Sequence, residues 1–210
     1  MVEVKNVDLT LQKNEILKSV SVHFERGKIH GLIGRNGSGK TMLMKCICGF
    51  VRPTLGEITV DGKRIGRDRD FPENVGIIIE TPGFIPYYSG LKNLRLLAAP
   101  RGKISKDDVR KTMEQVGLDP NLKRHVRKYS LGMRQRLGLA QAIMEDPELL
   151  VLDEPMNGLD KDGVKDMRQY LLDLKAKGKT ILIASHSAED IDVLCDTVCE
   201  MDKGRLEQIR

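Results

Sequence analysis

The chain has 210 residues, a net charge of +5 and a sequence pI of about 9.0. Hydrophobic residues make up 40% and charged residues 31%, which is typical of one globular domain, alone or with a subdomain. Only 4% of the residues are aromatic and none is Trp, which argues against an aromatic stacking platform for single-stranded nucleic acid. The basic balance suits anionic ligands, membrane surfaces or nucleic acid, but also fits a plain solvated surface.

The cysteines and the apolar runs limit where the chain can reside. Cys46, Cys48, Cys195 and Cys199 lack zinc-ribbon spacing and predict reduced core thiols, as in an intracellular protein. The first ten residues lack the apolar stretch of a signal peptide. No apolar run approaches the ~20 residues that span a bilayer, so we expect a chain that does not enter the membrane by itself.

The first 80 residues carry mostly strand patterns. Alternation predicts strands with one exposed face over 2–11 and 16–24, and compact apolar runs predict buried strands over 28–34 and 74–80. A helix is predicted from Lys40 to about Gly49, and a hairpin over 56–65 around the Asp61–Gly62 turn.

From Thr81 to Asp146 the strand patterns give way to helical spacing, with Ser105 as an N-cap and Gly117 as a C-terminal stop. Short apolar runs and helices then alternate again: a strand at 148–154, a helix near Gly163–Lys177, a strand at 180–185, a short helix after His186 and strand pattern at 197–209. This alternation predicts an α/β fold with a mainly parallel sheet flanked by helices.

The segment GRNGSGKT follows a predicted strand and opens a predicted helix, as a phosphate-binding loop does. Its glycines let backbone N–H groups approach phosphate oxygens at a helix N-terminus. Lys40 is expected to reach the β- and γ-phosphates, and the Thr41 hydroxyl to bind Mg²⁺. The alternative is a glycine-rich turn with a chance lysine. The nucleotide-binding residues predicted here are Gly34, Arg35, Asn36, Gly37, Ser38, Gly39, Lys40 and Thr41.

The segment LLVLDEP is an apolar strand that ends in two carboxylates. Asp153 is placed to hold the Mg²⁺ water shell. Glu154 is predicted to accept a proton from, or orient, an attacking water. A DE pair at a strand end is often only the start of a loop, so the interpretation depends on the phosphate-binding loop.

Five motifs occur in the order GRNGSGKT, YSLGMRQR, LLVLDEP, NGLD and ASH, and with them the whole chain resembles the ATP-binding subunit of ABC transporters. The resemblance implies a P-loop NTPase fold of the ABC type with an N-terminal antiparallel β subdomain and an inserted helical subdomain. It implies one domain over 1–210, in which 1–80 and 147–210 form the nucleotide-binding core and 81–146 the helical signature subdomain.

The resemblance also implies roles for residues outside the phosphate loop. YSLGMRQR corresponds to the family's signature motif, in which Ser130 and Gly132 would face the γ-phosphate of an ATP held by an opposite subunit. NGLD looks like the loop that crosses the dimer interface and ends at Asp160. His186 looks like the switch histidine that contacts the γ-phosphate, although a lone histidine after a strand is usually a surface residue.

Three departures from the family pattern stand out. Glu80 replaces the glutamine that senses Mg²⁺ and the attacking water, and we expect it to remain a metal ligand. Leu11 occupies the position of the aromatic residue that stacks on adenine, so apolar contact remains and stacking is lost. Leu131 and Met133 replace the common glycine and glutamine of the signature.

The segments IIIETPGFIPYYSGLKNL and SLGMRQRL resemble the bacitracin- and lantibiotic-type subgroup of peptide or drug exporters. This implies ATP hydrolysis coupled to transport, a separate multi-span permease, a second ATPase subunit, and a cytoplasmic position on the inner face of the cell membrane. Residues 81–97 would then form part of the groove for the permease, with Phe84, Tyr87 and Tyr88 as exposed anchors or, alternatively, a local hydrophobic cluster. The rival interpretation is a non-transport ABC ATPase acting on nucleic acid or ribosomes, which usually carries a coiled-coil insertion or two cassettes.

Overall fold

The computed structural model describes residues 1–210 and contains two β-sheets and six α-helices. The strands are β1 (Val2–Leu11), β2 (Asn14–Phe24), β3 (Ile29–Ile33), β4 (Leu55–Val60), β5 (Lys63–Arg64), β6 (Val75–Ile78), β7 (Leu149–Asp153), β8 (Thr180–Ala184), β9 (Thr197–Asp202) and β10 (Arg205–Gln208). The helices are α1 (Lys40–Ile47), α2 (Gly90–Ala98), α3 (Lys106–Gln115), α4 (Leu131–Ile143), α5 (Lys161–Ala176) and α6 (Ala188–Leu194), with a 3₁₀ turn at Val126–Lys128.

The smaller sheet is antiparallel, with the strand order β2-β1-β4-β5. Its side chains alternate as the sequence pattern predicts: Val2 and Val4 of β1 are buried, whereas Lys5 is exposed. β1 and β2 also carry irregular register, and Asn6 and Ser19 adopt positive φ there. The sheet therefore curls over the core with one apolar face.

The larger sheet has the order β10-β9-β3-β8-β7-β6. Neighbouring strands from β9 to β6 run parallel, and only the β9–β10 hairpin is antiparallel. β8 is buried along its whole length, as expected for a strand covered on both faces. The carboxyl ends of β3, β6, β7 and β8 therefore lie along one edge, where open α/β sheets bind ligands.

Alternate residues of the larger sheet enter two different hydrophobic clusters. Leu150 and Leu152 of β7 belong to the cluster that includes the inserted helices, whereas Leu149 and Val151 belong to the cluster under the antiparallel sheet. The period of two along the strand thus divides the core into two layers. The larger sheet therefore lies between the two hydrophobic layers and packs against both.

The helices α2, α3 and α4 lie between β6 and β7 in the chain and carry serine caps. The hydroxyl of Ser105 accepts a hydrogen bond from the Asp108 N–H at 3.1 Å, and the Asp108 carboxylate accepts from the Ser105 N–H at 2.9 Å. α4 packs closely on β6, since a Cβ on Gly76 would lie 2.0 Å from the Ala142 carbonyl oxygen. A glycine at this position therefore fixes how near the insertion approaches the sheet.

The aromatic residues of the 81–97 segment divide between the two interpretations, exposed anchors and a local hydrophobic cluster. Tyr87 is 61% exposed, but Phe84 packs against the helical cluster and Tyr88 is half-buried. The ammonium group of Lys92 lies 3.5 Å from the centre of the Tyr88 ring and covers one of its faces. Phe84 and Tyr88 therefore fit the alternative of a local hydrophobic cluster, whereas Tyr87 fits an exposed anchor.

The four cysteines form no disulfide, and three of them are fully buried. Burial raises the pKa of Cys46, Cys48 and Cys195 to about 12, and that of Cys199 to about 11. The thiolate forms needed for metal binding or oxidation are thus strongly disfavoured. Separately, none of the helices combines the length and the hydropathy required to span a membrane.

Candidate functional site

The phosphate-binding loop connects β3 to α1, and its glycines have backbone conformations that other residues rarely adopt. Gly34, Gly37 and Gly39 have φ values of 139°, 78° and 119°. At Gly34, a Cβ would lie only 2.2 Å from the Met201 carbonyl oxygen. The loop can therefore take this shape only with glycine at its first position.

Two groups in this loop retain unused hydrogen-bonding capacity. The Lys40 ammonium group donates to the Gly34 and Arg35 carbonyl oxygens, at 2.7 and 3.1 Å, which leaves one of its three donors. The Ser38 hydroxyl is buried and has no hydrogen-bond partner. Both groups lie at the N-terminus of α1, where a phosphate oxygen is favoured. The residues present thus fit a bound phosphate group.

The predicted metal residues of β7 and α1 are in direct contact. The Thr41 hydroxyl donates to the Asp153 carboxylate at 2.8 Å, because the end of β7 meets the start of α1. Hydroxyl and carboxylate oxygens are ligands that Mg²⁺ prefers. The Glu80 carboxylate instead accepts a hydrogen bond from the Lys45 ammonium at 2.6 Å, and no three His, Cys, Asp or Glu side chains converge as a metal cluster. A Mg²⁺ ion that also binds phosphate oxygens fits Thr41 and Asp153.

Glu154 follows β7 with a φ of 50°, and its side chain faces His186, which follows β8. His186 Nε2 lies 3.2 Å from Glu154 Oε1 without the alignment of a hydrogen bond, and the His186 backbone N–H donates to Oε2 at 3.4 Å. Burial raises the pKa of Glu154 above its ordinary value, while the proximity of His186 opposes the rise. A carboxylate tuned upward in this way can serve as a general base.

A second layer of hydrogen bonds holds the His186 segment in place. The buried carboxylate of Asp190 accepts hydrogen bonds from the Ser185 hydroxyl at 3.1 Å and from Arg168 Nε at 2.7 Å. The Ser187 N–H donates to the Ser185 hydroxyl at 3.1 Å. His186 therefore lies between two serines anchored to α6 and, through Arg168, to α5.

These groups share one cavity of about 490 Å³. Of the predicted site residues, its walls include Asn36, Gly37, Ser38, Gly39, Lys40, Thr41, Glu80, Asp153, Glu154 and His186. The cavity therefore brings together the loop, the strand-end carboxylates and the histidine, which come from three different elements.

The cavity is also lined by residues that the sequence motifs did not identify as part of the site. Leu131, Arg134 and Gln135 line it, at the i, i+3, i+4 spacing that places them on one face of α4. Gln135 Nε2 donates to the Glu154 carbonyl oxygen at 3.1 Å, which ties the signature helix to the backbone of that residue. That spacing was visible in the sequence and could have shown that these three residues share one face of the helix. Ile16 and Asn157, which also line the cavity, carried no such signal.

The other predicted residues lie outside this cavity. Gly34 and Arg35 border a neighbouring pocket, and Leu11 is 40% exposed at the end of β1. Ser130 caps α4, with its hydroxyl accepting from the Met133 N–H at 3.1 Å, and Asp160 caps α5 by accepting from the Gly163 N–H at 2.9 Å.

The signature segment packs against the NGLD loop of the same chain. A Cβ on Gly132 would lie 2.8 Å from the Gly158 carbonyl oxygen, and one on Gly158 would lie 2.4 Å from Leu131 Cγ. Ser130 and Gly132 therefore stand beside this loop rather than around the phosphate loop of their own chain.

Comparison with known proteins agrees with this geometry. The family model described as ABC transporter matches residues 17–157. An uncharacterized ABC transporter ATP-binding protein, YybJ of Bacillus subtilis, is 44% identical over 99% of this chain and 95% of its own length. The bacitracin transport ATP-binding protein BcrA of Enterococcus faecalis is 41% identical over 98% of this chain and 68% of its own. The lantibiotic transport ATP-binding protein SrtF of Streptococcus pyogenes is 35% identical over 98% of this chain and 89% of its own.

A solved structure of the ATP-binding cassette MJ0796 superposes with a TM-score of 0.89 at 23% identity, covering 100% of this chain and 99% of that one. The predicted α/β fold of the ABC type is thereby confirmed, as is the resemblance drawn from the five motifs. The chain belongs to the ABC transporter family, as an ATP-binding subunit.

Proposed function

We propose that the chain binds Mg²⁺ and ATP at the phosphate loop and hydrolyses the ATP to power a membrane permease. One observation carries the proposal: Lys40, the Thr41–Asp153 pair and the Glu154–His186 pair face a single cavity. Each pair on its own is common in proteins. Together they supply a phosphate anchor, a metal position and a base, which phosphoryl transfer to water requires.

In the proposed reaction, Ser38 and Lys40 bind oxygens of the β- and γ-phosphates. Thr41 and Asp153 hold Mg²⁺, which neutralises phosphate charge when bound, and Glu80 is a further proposed ligand. The oxygen of water forms a bond to the γ-phosphorus, the bond to the ADP oxygen breaks, and Glu154 takes the water proton. His186, anchored by Ser185 and Ser187, contacts the γ-phosphate.

We assign the phosphate-facing role of Ser130, Gly132 and Asp160 to a second copy or a related cassette. The position of Ser130 outside its own cavity supports this proposal, since its capping geometry presents a helix N-terminus to the outside. Two chains arranged head to tail would place each signature over the phosphate loop of the other. ATP would then lie between them, in a site that neither chain completes alone.

The transported substrate is proposed as an antimicrobial peptide or drug moving outward. Support comes from the bacitracin and lantibiotic transport relatives and from the subgroup-like segment at residues 81–97. A separate multi-span permease would bind that segment, and the chain would then sit on the cytoplasmic face of the cell membrane. Tyr87 is the exposed aromatic residue available there.

Glu154→Gln tests the catalytic proposal. We expect ATP binding to persist and the hydrolysis rate to fall by about 100-fold or more, because a positioned general base contributes roughly that factor. Steady-state phosphate release and binding of a fluorescent ATP analogue measure the two properties. The matched control is Glu207→Gln on the exposed strand β10, which should leave both unchanged. Near-normal turnover in Glu154→Gln would remove the general-base role.

A further inference from the structure

The positive charge of this chain is unevenly distributed. Residues 81–105 and 120–144 contain no Asp or Glu, yet together carry ten Lys or Arg residues. The intervening helix α3 has acidic residues of its own, including Asp107 and Asp108. Because the whole chain has a net charge of only +5, most of its excess positive charge lies on these two segments.

The two acid-free segments lie side by side. The Val126 N–H donates to the Tyr88 carbonyl oxygen at 2.9 Å, and the Arg127 N–H donates to that of Pro86 at 3.0 Å. Ser89, which caps α2, forms an isolated β-bridge with His125. Side chains from the start of α2 and from the 123–128 segment therefore share one region of the surface.

This region carries six exposed basic side chains, which we call the basic face: Lys92, Arg95, Lys123, Arg124, Arg127 and Lys128. None of the six forms an ion pair, whereas basic residues elsewhere, such as Lys45, Arg52 and Arg168, do. Arg134 and Arg136 do not belong to it, since they donate to the carbonyl oxygens of Tyr129 and Val116 within the protein. The positive charge of the basic face is therefore not neutralised by any acidic side chain of the protein.

Exposed apolar surface accompanies the charge. Ile85 is 45% exposed and Tyr87 is 61% exposed. The Arg127 guanidinium lies 5.0 Å from the centre of the Tyr87 ring, so the aromatic ring and the cation are presented together. An amphipathic ring beside unpaired cations is the combination that suits the interfacial layer of a membrane.

We propose that the basic face binds anionic lipid headgroups directly, with Ile85 and Tyr87 entering the interfacial layer. The proposal concerns the chain before a permease occupies residues 81–97, and it does not depend on ATP hydrolysis. A lipid surface fits better than nucleic acid, because it accepts apolar side chains between cations and requires no stacking residues. A lipid surface also fits better than a single free anion, since all six basic side chains are exposed.

Vesicle flotation with the purified full chain, without permease, tests the proposal. We expect binding to equimolar phosphatidylglycerol–phosphatidylcholine vesicles, little binding to phosphatidylcholine alone, and weaker binding as ionic strength rises. Changing Lys123, Arg124, Arg127 and Lys128 together to Glu should weaken binding by at least about tenfold. The control carries the same charge change at exposed, unpaired positions elsewhere: Lys13, Lys63, Lys177 and Arg205 to Glu.

The absence of Trp allows a second, site-specific readout. Tyr87→Trp introduces a single reporter, whose emission should shift to the blue and be quenched by brominated anionic lipid. Phe50→Trp, at a 53% exposed position beside Phe71 and outside the basic face, should show neither effect. Unchanged ATP-analogue binding would show that all variants are folded.

Three results would overturn the proposal. They are failure of the wild-type chain to bind anionic vesicles, equal loss in the control charge variant, or binding of single-stranded RNA through the basic face without vesicle binding. A failure here would leave the catalytic test with Glu154→Gln unaffected, since that test uses the chain without lipid.

Discussion

Glu154 combines a half-buried carboxyl group with an imidazole neighbour. Burial favours its protonated form, and the nearby His186 partly restores the ionised form. The same environment that raises the pKa also makes the carboxylate a better proton acceptor near neutral pH. Burial and the proximity of His186 therefore act in opposite directions on the pKa of the proposed base.

The sign of the pKa shift gives a pH prediction. A general base acts when deprotonated, so the rate of ATP hydrolysis should fall as the pH drops through a value above the ordinary 4.5 of a glutamate. The pH profile of kcat/KM measures this acidic limb.

The variant His186→Ala gives an independent check without turnover. Removing the imidazole removes the interaction that lowers the pKa of Glu154, so this pKa should rise further. NMR of the side-chain carboxyl carbon in the nucleotide-free protein can measure the change. A downward shift in this variant would contradict the assignment.

Lys45 and Glu80 form a pair that affects the proposed metal site. The lysine is 23% exposed and the glutamate 63% exposed, so the pair is worth only about 1 kcal/mol or less. Lys45→Met should free the Glu80 carboxylate and strengthen Mn²⁺ binding to the ATP complex about two- to fivefold. Electron paramagnetic resonance titration gives the affinity, with Lys63→Met as the control. An unchanged affinity would mean that Glu80 does not contact the metal.

The elements that carry the site meet at their ends. α4 begins at the signature, and its first turn is satisfied by Ser130, much as α3 is capped by Ser105. The Gly132–Gly158 contact holds this turn against the NGLD loop. These contacts hold the start of α4 in place and leave its cap residue Ser130 exposed, which suits the proposed contact with a partner's phosphate.

Ser130→Arg tests this role of α4. The change removes a cap worth about 1 kcal/mol and places a bulky cation where a phosphate would bind. We expect ATP binding to the monomer to persist, because Ser130 lies outside its own cavity, and the ATP-driven dimer to disappear.

Size-exclusion chromatography in the Glu154→Gln background measures the dimer. The control variant Ser105→Arg removes the serine cap of α3, and we expect it to form the ATP-driven dimer as before. A persistent dimer in Ser130→Arg would refute the proposed contact.

At the scale of the whole molecule, the proposed dimer uses the phosphate loop of one chain together with Ser130 and Gly132 of the other. Two chains would form two composite sites, and each site would depend on both partners. Defects in different motifs should then be able to compensate for each other when placed in different chains.

Mixing two inactive variants tests that dependence. Lys40→Met lacks a working phosphate loop and Ser130→Arg lacks a working signature, so each alone should hydrolyse ATP poorly. A mixed dimer retains one intact site, formed by Lys40 of one chain and Ser130 of the other. The mixture should therefore recover a substantial fraction of wild-type phosphate release, whereas two preparations of Lys40→Met should not. No recovery would favour sites complete within one chain.

Sequence patterns were sufficient for the order of strands and helices, because burial on one or two faces leaves periods that can be read directly. The Ser105 cap was predictable for the same reason, since it depends on residues three positions apart. The Lys45–Glu80 pair was not predictable, because its residues are 35 positions apart and meet only in the folded chain. The burial of Phe84 likewise depends on helices that approach from elsewhere in the chain.

The low reactivity of the four native thiols has a practical consequence for site-specific labelling of this chain. Because no native cysteine combines exposure with an accessible thiolate, alkylating probes should ignore all four. A cysteine introduced on the basic face and another on β10 would then be the only labelled sites. Spin-label distances could follow opening and closing of the cassette in the native background, without first removing a single residue from its core.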